Sequence, residues 1–262
     1  MEETVRSASP TAPAAPPSPM RWVSAAATHV GRVRKVNEDA LLERPQIGLW
    51  AVADGVGGAS AGDRASALIA ENLSTIGDAS TAPAFLAAVC DRLRDTNDTL
   101  RREAAEANVT IASTVVALLF FRQHYACAWA GDSRLYRLRD GRFEQISRDH
   151  SEVQELVDRG VIDAATARHH PHANIVTRAV GATDQLEIEV VHNQLFDGDI
   201  FLLCSDGLTK TLEDDEIAQR LQQPIDQAVP ALIEAALDRG APDNVTVVAI
   251  KVQSAGGGDE RE

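Results

Sequence analysis

Two abutting stretches, YACAWAGDS (Tyr125–Ser133) and RLYRLRDGRFEQI (Arg134–Ile146), decide how this chain folds. The first is apolar almost throughout, the pattern of a strand buried on both faces. The second alternates on either side of Asp140-Gly141, a dipeptide that suits the positive φ angles of a two-residue hairpin turn. Strand follows strand here with no helix between, so the pairing is antiparallel. Outward from this point the same habit recurs. GLWAVADG, TIASTVVALLFF, LEIEVVHNQL, DIFLLCSDG and NVTVVAIKV read as further strands. DRASALIAENLSTIG carries Leu68, Ile69, Asn72, Leu73 and Ile76 at helical spacing, and PAFLAAVCDRLRDTNDTLRREAAEAN carries Phe85, Leu86, Val89, Cys90, Leu93 and Leu100 on one stripe. EVQELVDRG, DDEIAQRLQ and IDQAVPALIEAALDRG read as shorter helices. Runs of strands separated from runs of helices predict an α+β fold, antiparallel β-sheets flanked by α-helices.

Composition narrows the class. The 262 residues are 44% hydrophobic, enough for a sizeable core. The Pro-, Ala- and Ser-rich residues 1–20 and the closing residues 254–262 read as flexible tails around one domain at 21–253. Acids outnumber Lys plus Arg by 39 to 25, a net charge of −14 that opposes attraction to nucleic acid or anionic lipid. The start has neither the basic nor the apolar segment of a secretory signal, and the longest apolar run, Val115–Phe121, is too short to span a bilayer. Cys90, Cys127 and Cys204 are few, odd in number and set in apolar surroundings, which suits reduced core residues in a cytoplasmic protein.

Asp-Gly occurs four times. Asp140-Gly141 and Asp197-Gly198 have polar or alternating flanks and read as turns. Asp54-Gly55 and Asp206-Gly207 instead end wholly apolar strands, LWAVA and IFLLCS. A third apolar strand ends in Asp132, and a fourth begins just after Asp243. Carboxylates at the ends of neighbouring central strands would meet at one rim and repel one another, raising their pKa values. A divalent cation removes that conflict, and oxygen ligands without Cys or His favour Mg²⁺ or Mn²⁺. Gly55 would let its carbonyl approach an ion with no Cβ in the way. Spacing alone leaves the turn and the metal site both open. A phosphate-cradling glycine loop is excluded, because DGVGGASAGD has no Gly-Lys-Ser/Thr and no acidic ribose partner follows. Upstream, RVRKVNEDA sets Arg34 four residues before Glu38 with Asp39 adjacent. That is either a charged strand start or a phosphate-gripping fork beside acids that hold water around an ion.

Eight segments in this order, RVRKVNED, WAVADGVGG, ASTVVALL, WAGDSRLYRLRDG, SRDHSEVQELVDRG, HHPHANIVTRAVG, FLLCSDGLT and APDNVTVVAI, resemble the metal-dependent protein phosphatases of the type 2C family, over Ala26 to Val252. The chain looks most like the compact bacterial members that reverse eukaryotic-like Ser/Thr kinases, among them those found beside type VI secretion genes. The resemblance implies a sandwich of two antiparallel sheets and hydrolysis of phosphoserine and phosphothreonine in a phosphoprotein partner. It implies a cytoplasmic monomer paired with a cognate kinase. It implies two Mn²⁺ or Mg²⁺ ions, with a third, looser ion in some relatives. Carried over by position, Asp54 bridges two ions and Gly55 lends its carbonyl to one of them. Asp206 and Asp243 hold the other, and Asp132 with Asp206 holds the third. Glu38 and Asp39 bind metal waters, Arg34 grips the phosphate, and residues from about 150 to 177 form a mobile flap.

The chain departs from part of the family at Val56, where some members carry a histidine read as the general acid. His150, His169, His170 and His172 are then candidate proton donors from the flap region. Other phosphatase chemistries fail by spacing. A cysteine phosphatase needs Cys-x5-Arg, but the residues six beyond Cys90, Cys127 and Cys204 are Thr96, Ser133 and Lys210. No apolar strand precedes Asp197, against an aspartyl-phosphate reading, and Cys204 alternates as a core residue within IFLLCS. The competing reading of another class is a catalytically silent pseudophosphatase that binds phosphoproteins.

Overall fold

The structure, a computed structural model, describes residues 19–56 and 61–254. In chain order the elements are β1 (Met20–His29), β2 (Asp39–Arg44), β3 (Leu49–Val56), α1 (Gly62–Ser74), α2 (Ala82–Ala107), β4 (Ala112–Ser113), β5 (Val115–Phe121), β6 (His124–Ala130), β7 (Arg134–Arg139) and β8 (Arg142–Gln145). There follow α3 (Glu152–Asp158), α4 (Ala164–Arg168), β9 (Glu189–Gln194), β10 (Ile200–Cys204), α5 (Asp206–Thr209), α6 (Asp214–Leu221), α7 (Ile225–Asp238) and β11 (Val245–Ser254).

The strands form two antiparallel sheets. One runs β1-β11-β10-β7-β8 and the other β2-β3-β5-β6-β9, with β4 paired to β3. The hairpin read at Asp140-Gly141 joins β7 to β8, with both residues at positive φ (50° and 78°). Wholly apolar strands are needed because each sheet is covered on both faces. From β3, Trp50 and Val52 point between the sheets, where they meet Phe120, Phe201, Leu203 and Ile250. Leu49, Ala51 and Ala53 point the other way, onto Ile69 and Leu73 of α1 and Val89 and Leu93 of α2. The first sheet does the same with Leu202 and Cys204 of β10 against Ile217, Val229 and Leu232 of α6 and α7. Cys204 is therefore a core residue, as its alternation predicts. The central layer is tied by edge-on aromatic contacts, Trp50–Phe120 at 4.9 Å and Phe120–Phe201 at 5.3 Å between centroids. Burying each such side chain contributes about 1.5–3 kcal/mol.

Two boundaries differ from expectation. Met20 pairs with Ser254 at the end of the β1–β11 ladder, so strand structure reaches one residue past each end of the 21–253 segment. Residues assigned to tails at 1–18 and 255–262, and Gly57 and Gly58 of the glycine-rich stretch, lie outside the described residues.

Candidate metal centre

Antiparallel pairing sets the end of one strand beside the start of the next, and here it gathers the acids at one rim. Asp39 opens β2 directly opposite Asp54 of β3. Thr114, just before β5, donates its N–H to the Asp54 carbonyl, while Asp132 follows the end of β6. On the other sheet Asp206 follows β10 and Asp243 precedes β11, where Ser205 N–H donates to the Thr246 carbonyl at 3.0 Å. The sheets are joined at this rim by Asp39, whose Oδ2 accepts from Ser205 Oγ and Thr246 Oγ1, each at 2.7 Å. Arg34, Glu38, Asp54, Gly55, Asp132, Asp206 and Asp243 all line one cavity of about 190 Å³. Asp39 lies beneath it, 9% exposed. Two positions refine the strand-end picture: β3 runs on past Asp54 to Val56, and Asp206 is the first residue of α5.

The electrostatics are those of acids forced together. Burial, then the charges of Asp206, Asp39, Asp132 and Asp243, hold the Asp54 carboxyl well above the ordinary range. Burial and Asp206 push Asp132 up to about 8. Burial raises Asp39 to about 6 against the pull of its two hydroxyl partners, and burial raises Glu38 as well. Asp206 is raised by burial, with Lys210 opposing. Among the described residues, Asp39 Oδ1 and Asp206 Oδ1 are buried without a hydrogen-bond partner. Crowded carboxylates with orphaned oxygens, no sulfur donor and a backbone carbonyl at Gly55 fit a hard divalent cation such as Mn²⁺ or Mg²⁺. As they stand, no three Asp, Glu, His or Cys side chains among the described residues are arranged around a common ligating point. Two internal cations stand among these acids. Lys210 Nζ is ion-paired to Asp206 Oδ2 and lies 3.9 Å from Asp243 Oδ2, and Arg34 holds Asp243 with both prongs of its guanidinium.

Gly55 has a second reason to be glycine. A Cβ there would stand 2.2 Å from the Gly62 carbonyl oxygen and 2.7 Å from that of Glu38. The start of α1 thus packs directly on the backbone beside Asp54.

Several residues at the centre carry no signal that sequence reading used. Asn244 accepts from Glu38 N–H at 2.8 Å and donates to the carbonyls of Val30 and Val36 at 2.9 and 3.0 Å, fixing the loop that bears Arg34 and Glu38. Thr114 Oγ1, 2.7 Å from Ser133 Oγ, accepts from Asp54 N–H at 3.3 Å. Lys210, Ser205 and Thr246 complete the set. Asn244 and Thr246 do lie in the APDNVTVVAI segment, within three residues of Asp243, and Ser205 and Lys210 flank DGLT.

The candidate proton donors do not meet the acids. Among the described residues lining the aspartate cavity there is no histidine. His150 is buried beneath the excursion between β8 and β9. It stacks on Trp129 at 6.0 Å, accepts from Gly131 N–H at 3.1 Å, and sets Nε2 2.9 Å from Glu189 Oε2. Burial lowers its pKa. His172 pairs with Glu152, and His169 lines a neighbouring cavity of about 410 Å³. The excursion reaches the aspartates through Asn174 and Val176, and a bridge between Ser151 and Val176 closes its base. Val56 lines the cavity mouth.

A family model described as Protein phosphatase 2C matches residues 28–240. The serine/threonine protein phosphatase PstP of Mycobacterium tuberculosis is 36% identical over 231 residues, which cover 87% of this chain and 44% of that protein, so the chain spans less than half of that relative's length. Among solved structures, one described as PppA, a key regulatory component of T6SS in Pseudomonas aeruginosa, superposes with a TM-score of 0.82 at 47% identity, covering 88% of this chain and 98% of that one. The catalytic domain of PstP in complex with two manganese ions superposes with a TM-score of 0.82 at 34% identity, covering 90% and 100%.

Proposed function

The chain belongs to the protein phosphatase 2C family, and from that premise we propose that it is a protein serine/threonine phosphatase that hydrolyses phosphoserine and phosphothreonine with two Mn²⁺ or Mg²⁺ ions. The observation that carries this reading is the convergence of Asp54, Asp132, Asp206 and Asp243 on one cavity, with the Asp206 Oδ1 oxygen buried and unpartnered. Asp54 with the Gly55 carbonyl would hold one ion, and Asp206 with Asp243 the other. Glu38 and Asp39 would orient water around them. Divalent ions supply Lewis acidity at the phosphate and lower the pKa of water.

The chain's own residues do the rest. Arg34, half-exposed and lining the cavity, would turn its planar fork from Asp243 to the phosphate oxygens. Asn244 keeps that fork in place through the loop it binds. His150, His169, His170 and His172 are all off the cavity lining, and water is the donor we propose for the leaving serine or threonine alkoxide. The pseudophosphatase reading has nothing in its favour here, because Glu38, Asp54, Asp132, Asp206 and Asp243 all line the cavity and Asp39, paired opposite Asp54, is buried against Ser205 and Thr246.

The partners follow as part of the proposal: a phosphoprotein and the kinase that phosphorylates it, in a cytoplasmic setting. No helix among the described residues is long and apolar enough to cross a membrane. The likeness to PppA supports a place in the regulation of a type VI secretion system. The test is release of phosphate from a phosphothreonine peptide by the purified chain with Mn²⁺, with Mg²⁺ and with EDTA. Release is expected with metal only, and a folded sample inactive with every metal would overturn the reading.

A further inference from the structure

Lys210 stands where the acids are densest. It caps the C-terminus of α5, its N–H donating to the Asp206 carbonyl at 2.8 Å, so its side chain returns over one helical turn onto the carboxylate of the same residue. The turn that carries it is clamped. Arg168 donates to the carbonyls of Thr209 and Leu212, each at 2.7 Å, and pairs with Glu213. Lys210, Asp132 and Asp206 line both the aspartate cavity and the adjoining 410 Å³ cavity, so the ammonium occupies their common wall. Its Nζ also lies 3.9 Å from Asp243 Oδ2, so one ammonium reaches two of the acids.

We propose that Lys210 is a built-in counter-cation which takes the place of a third divalent ion beside Asp132 and Asp206, making this a two-ion centre. The inference rests on the metal-dependent reading above. An ion held jointly by Asp132 and Asp206 would have to expel the ammonium from Asp206 Oδ2 and then sit against its positive charge. The first two ions, held through Asp54, Gly55 and Asp243, need only displace the half-exposed Arg34 from Asp243, and Asp206 still offers them the buried Oδ1. Lys210 thereby neutralises the Asp206 carboxylate from within the chain, and fixes the wall between the two cavities.

The test is calorimetric titration of the full chain with Mn²⁺ after chelator treatment, for the natural protein and for Lys210→Arg, Lys210→Met and Lys210→Asp, each checked for native circular dichroism. The natural protein and Lys210→Arg are expected to take up two ions. Lys210→Asp, and Lys210→Met if the aspartate variant does not fold, are expected to take up a third. Uptake of two ions by natural protein and neutral or acidic variants alike would overturn this inference and leave the phosphatase reading intact, as would three ions in all of them. No uptake by the natural protein would overturn both.

Discussion

Arg34 and Asp243 face each other as a fork on a carboxylate, Nε to Oδ1 at 3.0 Å and Nη2 to Oδ2 at 3.0 Å. The residue expected to grip phosphate is therefore held by a residue expected to hold metal. The Asp243 carboxylate, with lesser help from Glu38 and Asp54, keeps the guanidinium pKa above its ordinary value. A phosphate and a divalent ion entering together would exchange this pair for two new ones, arginine to phosphate and aspartate to metal. Arg34→Ala should thus raise KM for a phosphopeptide by about tenfold or more, the loss of a charge-assisted hydrogen bond worth about 1.5–3 kcal/mol. Mn²⁺ affinity should be unchanged or tighter. Steady-state kinetics and metal titration check both, and a large fall in kcat at unchanged KM would give Arg34 a role in the transition state instead.

The acid cluster predicts an unusual pH dependence of folding in the presence of EDTA. Asp39 and Asp132 have folded pKa values near 6 and 8, raised first by burial, above the roughly 3.9 of an unfolded aspartate. Between these limits the folded state binds more protons than the unfolded state, so stability falls as pH rises. The contribution is complete below about pH 4 and is lost as pH passes 6 for Asp39 and 8 for Asp132. Mn²⁺ should reverse the trend, because it binds only the folded carboxylate set. Urea midpoints at pH 5 and pH 8, with EDTA and with Mn²⁺, measure this. A chelated protein more stable at pH 8 than at pH 5 would contradict it.

Asn244 predicts a loss felt at a distance. Asn244→Ala removes one acceptor and two donors from a residue only 5% exposed, stranding Glu38 N–H and the Val30 and Val36 carbonyls. Leaving such groups unpaired costs about 1–3 kcal/mol each where water cannot reach them. The urea midpoint should fall, and KM should rise because Arg34 loses its fixed loop. A variant with the native midpoint would show that the loop holds itself.

What could be read in advance divides along physical lines. Strands covered on both faces write long apolar runs, so β3, β5, β6, β10 and β11 stand out, and with them the acids that follow or precede them. The convergence of Asp54, Asp132, Asp206 and Asp243 was legible for that reason. The supporting polar residues were not. Ser205 and Thr246 reach Asp39 across more than 160 residues of chain, and Asn244 reaches Val30 across 214. A single hydroxyl or amide has no period that announces such a partner. The histidines misled for the complementary reason. His150 lies in the segment expected to flank the site, yet its ring stacks on Trp129 and reaches Glu189, and it does not line the aspartate cavity. In the sequence Lys210 stands out only where it breaks a cysteine motif, because its ion pair to the acid four residues back depends on the helical turn between them.

Gly55 allows a test of packing apart from chemistry. Its missing side chain admits Gly62 of α1, whose own Cβ would stand 2.8 Å from Glu38 Oε1. Gly55→Ala places a methyl against backbone that cannot rotate away, so the start of α1 or the tip of β3 must move. Overpacking of this kind costs about 2 kcal/mol. The displacement falls on Asp54, so Mn²⁺ affinity should drop with stability. Wild-type stability together with wild-type Mn²⁺ affinity in Gly55→Ala would mean that α1 yields freely there.

Asp206→Asn separates the two costs that this centre balances. The charge of Asp206 repels both Asp54 and Asp132, and it carries a buried oxygen with no partner. Removing its charge should relieve the repulsion, though it also breaks the pair with Lys210. An amide still accepts from the ammonium, so the net effect with EDTA is a protein at least as stable as the natural one at pH 8, where the acids repel most. The same substitution removes a carboxylate from the set proposed to hold metal, so the stabilisation by Mn²⁺ should vanish and phosphopeptide hydrolysis should fall by two orders of magnitude or more. Thermal melts at pH 8 with and without Mn²⁺, beside a calorimetric titration, read both effects in one sample. Undiminished Mn²⁺ affinity in Asp206→Asn would take Asp206 out of the metal set. A collapse of stability with EDTA would mean instead that its pairing with Lys210 outweighs the repulsion it imposes on its neighbours.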